Sequence, residues 1–364
     1  MSLFSSHADS YLGVDFGTQS IKAVELKMIK DKPHLLNYAW VNVTNIKEVP
    51  DEYDGDYAKR LSGALKQLFA ELKPKTKKAI VAIPSFNGLV MIVDFPRMSE
   101  KEVADAIKFE SRKYIPASLD EVNVSWEILD KEKEKNKNKK KNKEKGEEKK
   151  RKKEKNNQTM RVLLAAAPKS EVQYYDSMFE DTNVRIDLLE LESFSLARSI
   201  IGNTQGRFLL VDIGAKTTSI VLIEDGIVHV SRSVDIGGVD MTNAIMQGMQ
   251  ITRERAIALK EGGGDFFNGA TKIGFPSLNF VVNEINRVLN SQKSNVVESL
   301  VLCGGGSKLT GLPEQMAQMT GLKVTIGNPL SHIVYDENKS GNIKELSPSF
   351  AVAIGLALRA IEEK

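Results

Sequence analysis

The chain has 364 residues, 41% of them hydrophobic, one cysteine and a formal net charge of +3, which is material for two or three domains of ordinary size. A single thiol excludes an intrachain disulfide and suits a reducing compartment. No apolar run reaches the ~20 residues of a membrane span, and Met1 to Ser10 lacks a signal-peptide pattern, so we expect a cytoplasmic protein that meets a membrane only through a partner.

The basic excess is local and does not argue for sequence-specific nucleic-acid binding. Lys131 to Asn157 holds 14 Lys and 1 Arg against 6 Glu, a net +9 that leaves the rest of the chain at −6. With no aliphatic or aromatic residue to bury, this tract is predicted to be a disordered loop, either merely solvated or attracted to anionic lipid or nucleic acid by charge alone.

In chain order, "YLGVDFGTQSIKAVEL" (Tyr11 to Leu26) reads as two apolar strands around an Asp-x-Gly turn, the second continuing into "KDKPHLL". "KKAIVAIPS" and "GLVMIVDFP" are strand-like. "SEKEVADAIKFESRKYIP" is an amphipathic helix with Ser99 as N-cap, Glu102 completing a capping box and Pro116 as terminator. "VNVSWEIL" and "MRVLLAAAP" flank the charged tract as strands, which places it at a hairpin tip inside a domain. Helices "KSEVQYYDSMFEDTN" and "SFSLARSIIG" then bracket the strand "VRIDLLEL".

An internal repeat follows: "FLLVDIGAKTTSIVLI" (Phe208 to Ile223) aligns without gaps onto the opening hairpin, Asp212 on Asp15 and Gly214 on Gly17. A lone Asp-x-Gly hairpin is ordinarily a plain β-turn. Two of one design imply two similar halves facing each other. Glycine lets backbone approach a ligand, successive N–H groups form an anion-binding concavity, and Thr18, Ser20, Thr217 and Thr218 add hydroxyls. Asp15 and Asp212 beside phosphates would need a cation between them, which points to Mg²⁺ held largely through water. A third element, "VESLVLCGGGSKLTGLPEQMAQMTG", sets Gly304, Gly305 and Gly306 between a strand and a helix opened by Pro313.

The ordered set "GVDFGTQSIKAVEL", "VAIPS", "LESFSLAR", "LVDIGAKTTSIVL", "SVDIGGVDMTNAI", "CGGGSKLTGLPEQMAQMTGLKV", "GNPL" and "SPSFAVAIGLALR" resembles the actin-like ATPase superfamily. Within it, the chain resembles the PilM family of type IV pilus assembly proteins, relatives of the division protein FtsA. The resemblance implies an α/β actin-like fold with duplicated RNase H-like subdomains: a first half at 1–206, a second at 207–364, and a final helix at about 348–363 packing back on the first half. It also implies an FtsA/PilM-type inserted domain at about 93–188 that contains the charged loop 131–157. ATP and Mg²⁺ would lie between phosphate loops with Asp15, Gly17, Thr18, Gln19, Ser20 and Lys22 on one side and Asp212, Gly214, Ala215, Lys216, Thr217 and Thr218 on the other. Gly304, Gly305, Gly306, Lys308 and Leu309 would line the adenosine.

Lys260 falls where relatives touch ribose or base, although a lysine at a helix end also serves as a macrodipole partner. Ala215 and Lys216 replace glycines of chaperone-type members, so we expect at most slow ATPase activity. Glu190 and Glu192 are both candidates for the hydrolytic position, and no catalytic base is assigned. The implied partner is the cytoplasmic N-terminal segment of PilN, in a groove of the inserted domain where Phe109, Tyr114 and Ile115 are the nearest candidates. Other assembly components and self-association are also open, at the inner face of the cell membrane, in a pilus or related type II secretion system.

Three alternatives remain on sequence alone. An FtsA-like division protein would add a C-terminal amphipathic tail, whereas this chain ends in "AIEEK". A filament former like MreB would lack this type of inserted domain. A sugar or acetate kinase would need a base poised over an acceptor pocket. The four histidines show no metal-ligand spacing, and Cys303 reads as a small buried hydrophobe.

Overall fold

The computed structural model describes residues 10–43, 55–110, 113–115, 118–129, 159–268, 272–291, 296–336 and 341–362. The charged tract 131–157 and Pro116 lie outside them. In chain order the strands are β1 (Ser10–Phe16), β2 (Ser20–Ile29), β3 (Lys32–Asn42), β4 (Lys78–Ile83), β5 (Leu89–Pro96), β6 (Val122–Ile128), β7 (Thr159–Pro168), β8 (Arg185–Leu191), β9 (Arg207–Ile213), β10 (Thr218–Glu224), β11 (Ile227–Val234), β12 (Ser299–Cys303) and β13 (Val324–Ile326). Two compact units emerge: Met1–Phe86 with Val172–Lys364, and Asn87–Glu171.

The first unit is a duplication. One sheet has the order β3-β2-β1-β4-β8, and the second runs β11-β10-β9-β12-β13. Pairing directions repeat as well. β1/β2 and β2/β3 are antiparallel with β1/β4 and β4/β8 parallel; β9/β10 and β10/β11 are antiparallel with β9/β12 and β12/β13 parallel.

The two turns match atom for atom in their closing bond. In the first, Asp15 pairs Lys22 and Phe16 pairs Ile21, and the Gly17 N–H donates to Ser20 O at 3.0 Å. In the second, Asp212 pairs Ser219 and Ile213 pairs Thr218, and the Gly214 N–H donates to Thr217 O at 2.9 Å. The apolar strands that deliver these turns are buried: Leu12, Val14, Leu209, Leu210 and Val211 are each at most 1% exposed.

Each half has its own core. In the second, the helices Gly238–Met249, Pro276–Asn290 and Leu312–Thr320 cover the sheet through a cluster that includes Val211, Leu222, Ile245, Ile285 and Met316. In the first, a short 3-10 turn, Ser347–Phe350, leads into the helix Ala351–Glu362, which lies on β1, β2 and β4. Two glycines permit that contact. A Cβ on Gly13 would overlap the Ala353 carbonyl oxygen, and one on Gly355 would overlap that of Ser195. Phe350, Ala353, Ile354 and Ala357 fill the space against Val24 and Leu26.

The second unit pairs β5, β7 and β6 antiparallel in that order. The helix Glu100–Glu110 covers one face, burying Val103 and Ile107 against Val93, Phe95, Val162 and Leu164. Its capping box forms: the Ser99 N–H and hydroxyl both donate to Glu102 Oε2 at 2.7 Å, and the Glu102 N–H returns to Ser99 Oγ at 3.4 Å. No helix of the described residues is long and apolar enough to cross a membrane.

Candidate functional site

Open α/β sheets present their ligand sites beyond the carboxyl ends of parallel strands, and the chemistry-bearing residues collect there. Asp15 lies near the end of β1, Ser85 follows β4, Glu192 follows β8, Asp212 lies near the end of β9, and Gly304 follows β12. Asp15 is 5% exposed, with Lys22 Nζ across the hairpin at 3.4 Å from its Oδ2. Burial raises the Asp15 carboxyl above its ordinary value, and the Lys22 charge opposes that rise. Asp212 is pushed up to about 6, first by burial and then by the Asp15 charge, against Lys22 and the Cys303 S–H. Glu192 is driven well above the usual carboxylate range by burial, then by Asp15 and Asp212. Carboxyls from both halves thus repel one another at one place, and Lys22 is a cation that acts on all three.

The structure separates the two glutamate candidates. Arg198 grips Glu190 with both ends of its guanidinium, at 2.9 and 2.7 Å, and Ser195 Oγ donates to the same carboxylate. The remaining Arg198 donors reach Gly355 O and Glu362, at 3.0 Å each, so Glu190 belongs to a clamp on the final helix. Glu192 opens the short helix Glu192–Leu196, which continues as a π-helical turn, Ala197–Ile201. Its Oε2 accepts the Ser85 N–H at 3.2 Å, and the Asp15 and Asp212 charges act on it.

The second turn is held from behind. The N–H groups of Gly238 and Val239 donate to Gly214 O and Ala215 O at 2.9 Å each, and a Cβ on Gly237 would come within 2.6 Å of Ala215 O. Thr218 is buried, its hydroxyl donating to Ile236 O at 2.7 Å. Lys216 is exposed, while Thr217, Thr18, Gln19 and Ser20 are half-buried at the turns. Lys260 Nζ donates to Gly238 O and Thr242 Oγ1, at 2.8 Å each, and burial lowers its pKa. Its amine braces the helix behind the second turn.

The glycine run divides in two by cause. Gly304 sits at φ +79°, where a Cβ would overlap Asp212 Oδ1 and Ile213 O, and one on Gly306 would overlap Ile213. Both glycines exist for contact with the end of β9. Gly305 is exposed, and a Cβ there would first meet Ser349 Oγ at 3.5 Å. Lys308 is exposed, whereas Leu309 is 4% exposed and packs in the core. Sequence reasoning missed Ser85, because a serine after a strand-end proline carries no signal of its own. It also missed the second role of Cys303, which is buried as expected, donates its S–H to Val211 O at 3.8 Å, and has its thiol pKa raised first by burial and then by the Asp212 charge. In the other unit Phe109 is 74% exposed and Tyr114 37%, while Ile115 is buried in the core.

Duplicated half-domains, each presenting an Asp-x-Gly hairpin to a shared acidic site, define an actin-like ATPase fold. Within that class the chain belongs to the PilM family: the family model for type IV pilus assembly protein PilM matches residues 13–142 and 148–361, which gives it a role in pilus assembly. It is similar to the solved structure of a PilM-PilN type IV pilus biogenesis complex, with 25% identity and a TM-score of 0.75 over 97% of this chain and 99% of that one. It is also similar in fold to the ethanolamine utilization protein EutJ from Carboxydothermus hydrogenoformans, with 16% identity and a TM-score of 0.50 over 96% and 89%.

Proposed function

We propose that this chain is an ATP-binding cytoplasmic scaffold of pilus assembly, and that it docks the N-terminal segment of PilN in a groove of its inserted domain. The observation that carries the nucleotide site is the facing of Asp15 and Asp212 from two turns of identical register, with Lys22 beside them. Triphosphate oxygens would take the N–H groups and hydroxyls of Gly17 to Ser20 and Gly214 to Thr217, with Lys22 released from Asp15 to the phosphates. Gly305 and Lys308 offer exposed backbone and charge toward the nucleoside, and Lys260 holds the helix behind the second turn.

The donor set fits a hard divalent cation. Buried carboxyl oxygens with raised pKa values gain most from a positive charge. Among the described residues no three His, Cys, Asp or Glu side chains are grouped to hold a metal ion directly. Mg²⁺ would therefore be held by Asp15 and Asp212 through water, and when bound it neutralises phosphate charge. Ala215 and Lys216 leave less room at the second turn than paired glycines would, which favours slow turnover.

PilN as partner is supported by the similar PilM-PilN complex and by the exposed ring of Phe109. Occupation of the nucleotide site draws its two turns together, and the change reaches the partner surface. Linkage is reciprocal, so ATP and peptide should raise each other's affinity by about 5- to 150-fold. Titrating a PilN N-terminal peptide into the ligand-free and ATP–Mg²⁺ forms tests this. Equal dissociation constants would leave ATP as a stabilising ligand without a switch.

A further inference from the structure

Ser85 stands at the carboxyl end of β4, between the strands that deliver Asp15 and Glu192. It is 7% exposed, its N–H holds Glu192 Oε2 at 3.2 Å, and its own hydroxyl is buried without a hydrogen-bond partner among the described residues. A buried hydroxyl is nearly always paired with protein or ordered water. The N and Oγ atoms of one serine lie ~3 Å apart, so this hydroxyl stands within about 6 Å of the Glu192 carboxyl. One water making two bonds of ~2.8 Å spans that gap.

We infer that Ser85 is a positioning residue for nucleotide hydrolysis: its N–H fixes the Glu192 carboxyl, and its hydroxyl, with that carboxyl, holds the attacking water. This rests on the nucleotide site proposed above. In the step, the water oxygen bonds to the terminal phosphorus and the bond from that phosphorus to the bridging oxygen breaks. The diphosphate oxygen keeps the electron pair, and the ionised Glu192 takes the water proton. Ser85 acts only through Glu192 and the water.

The test compares Ser85→Ala and Ser85→Thr with the unaltered chain, measuring ATP affinity by calorimetry, phosphate release in a single turnover and the melting midpoint. Loss of the hydroxyl should slow phosphate release by about tenfold or more with ATP affinity and melting midpoint nearly unchanged, and threonine, which keeps the hydroxyl, should restore the rate. Release at the unaltered rate in Ser85→Ala overturns the assignment. So does a loss of rate, affinity and melting midpoint together, which would make Ser85 a packing residue. An unaltered chain that binds ATP but releases no phosphate also overturns it and leaves the nucleotide site standing, whereas a chain that binds no ATP removes both.

Discussion

Asp212 shows at a single residue how the site trades stability for binding. Its carboxyl titrates near 6 in the folded chain against an ordinary 3.8, so the folded state binds this proton more tightly than the unfolded one. The associated stability is present at low pH and is lost as pH rises from about 4 through 6. Glu192 is shifted in the same direction. Asp212→Asn should flatten this part of the pH–stability curve and raise the melting midpoint of the ligand-free protein near neutral pH, while weakening Mg–ATP binding. Thermal melts of both forms from about pH 4 to 8 check it; an unchanged slope would show that the acid is not destabilised by its neighbours. Lys22 entered the sequence reading only through the family resemblance, as part of the first phosphate loop, and its pairing with Asp15 across the hairpin is a structural finding. The distinction between Glu190 and Glu192 was not legible in the sequence, since it depends on Arg198 arriving from the next helix and on the turn of backbone where β8 becomes helix.

At the scale of elements, the repeat in sequence foretold two hairpins of one design, and the strand order shows that the duplication extends to both sheets. The partners β4 and β12 carry no recognisable sequence identity, because a buried parallel strand needs only apolar residues of fitting volume, and the edge strands β8 and β13 are too exposed to be held to one pattern. Gly304 and Gly306 read as backbone laid bare for a ligand, and the structure adds a second reason for glycine there: Ile213 and Asp212 occupy the space their side chains would need. Similar crowding governs the final helix. Gly13→Ala or Gly355→Ala should destabilise the protein by about 1–3 kcal/mol, because each methyl must displace a carbonyl of packed backbone. Denaturant unfolding measures this, and wild-type stability in both variants would contradict the close approach of that helix to β1 and to the Glu192 helix. The π-helical turn at Ala197–Ile201 had no sequence signal; "SFSLARSIIG" is an ordinary helix by periodicity.

For the molecule as a whole, the account places ATP–Mg²⁺ between two halves that share one topology, each contributing a turn and an acid. Calorimetric titration of ATP with Mg²⁺ into the unaltered chain, Asp15→Ala and Asp212→Ala tests that claim most directly, with melting in the absence of nucleotide as the control for folding. The account predicts measurable binding that each substitution weakens by about 10- to 100-fold, a loss greater than any change in ligand-free stability could explain. Equal ATP affinity in all three proteins would contradict it.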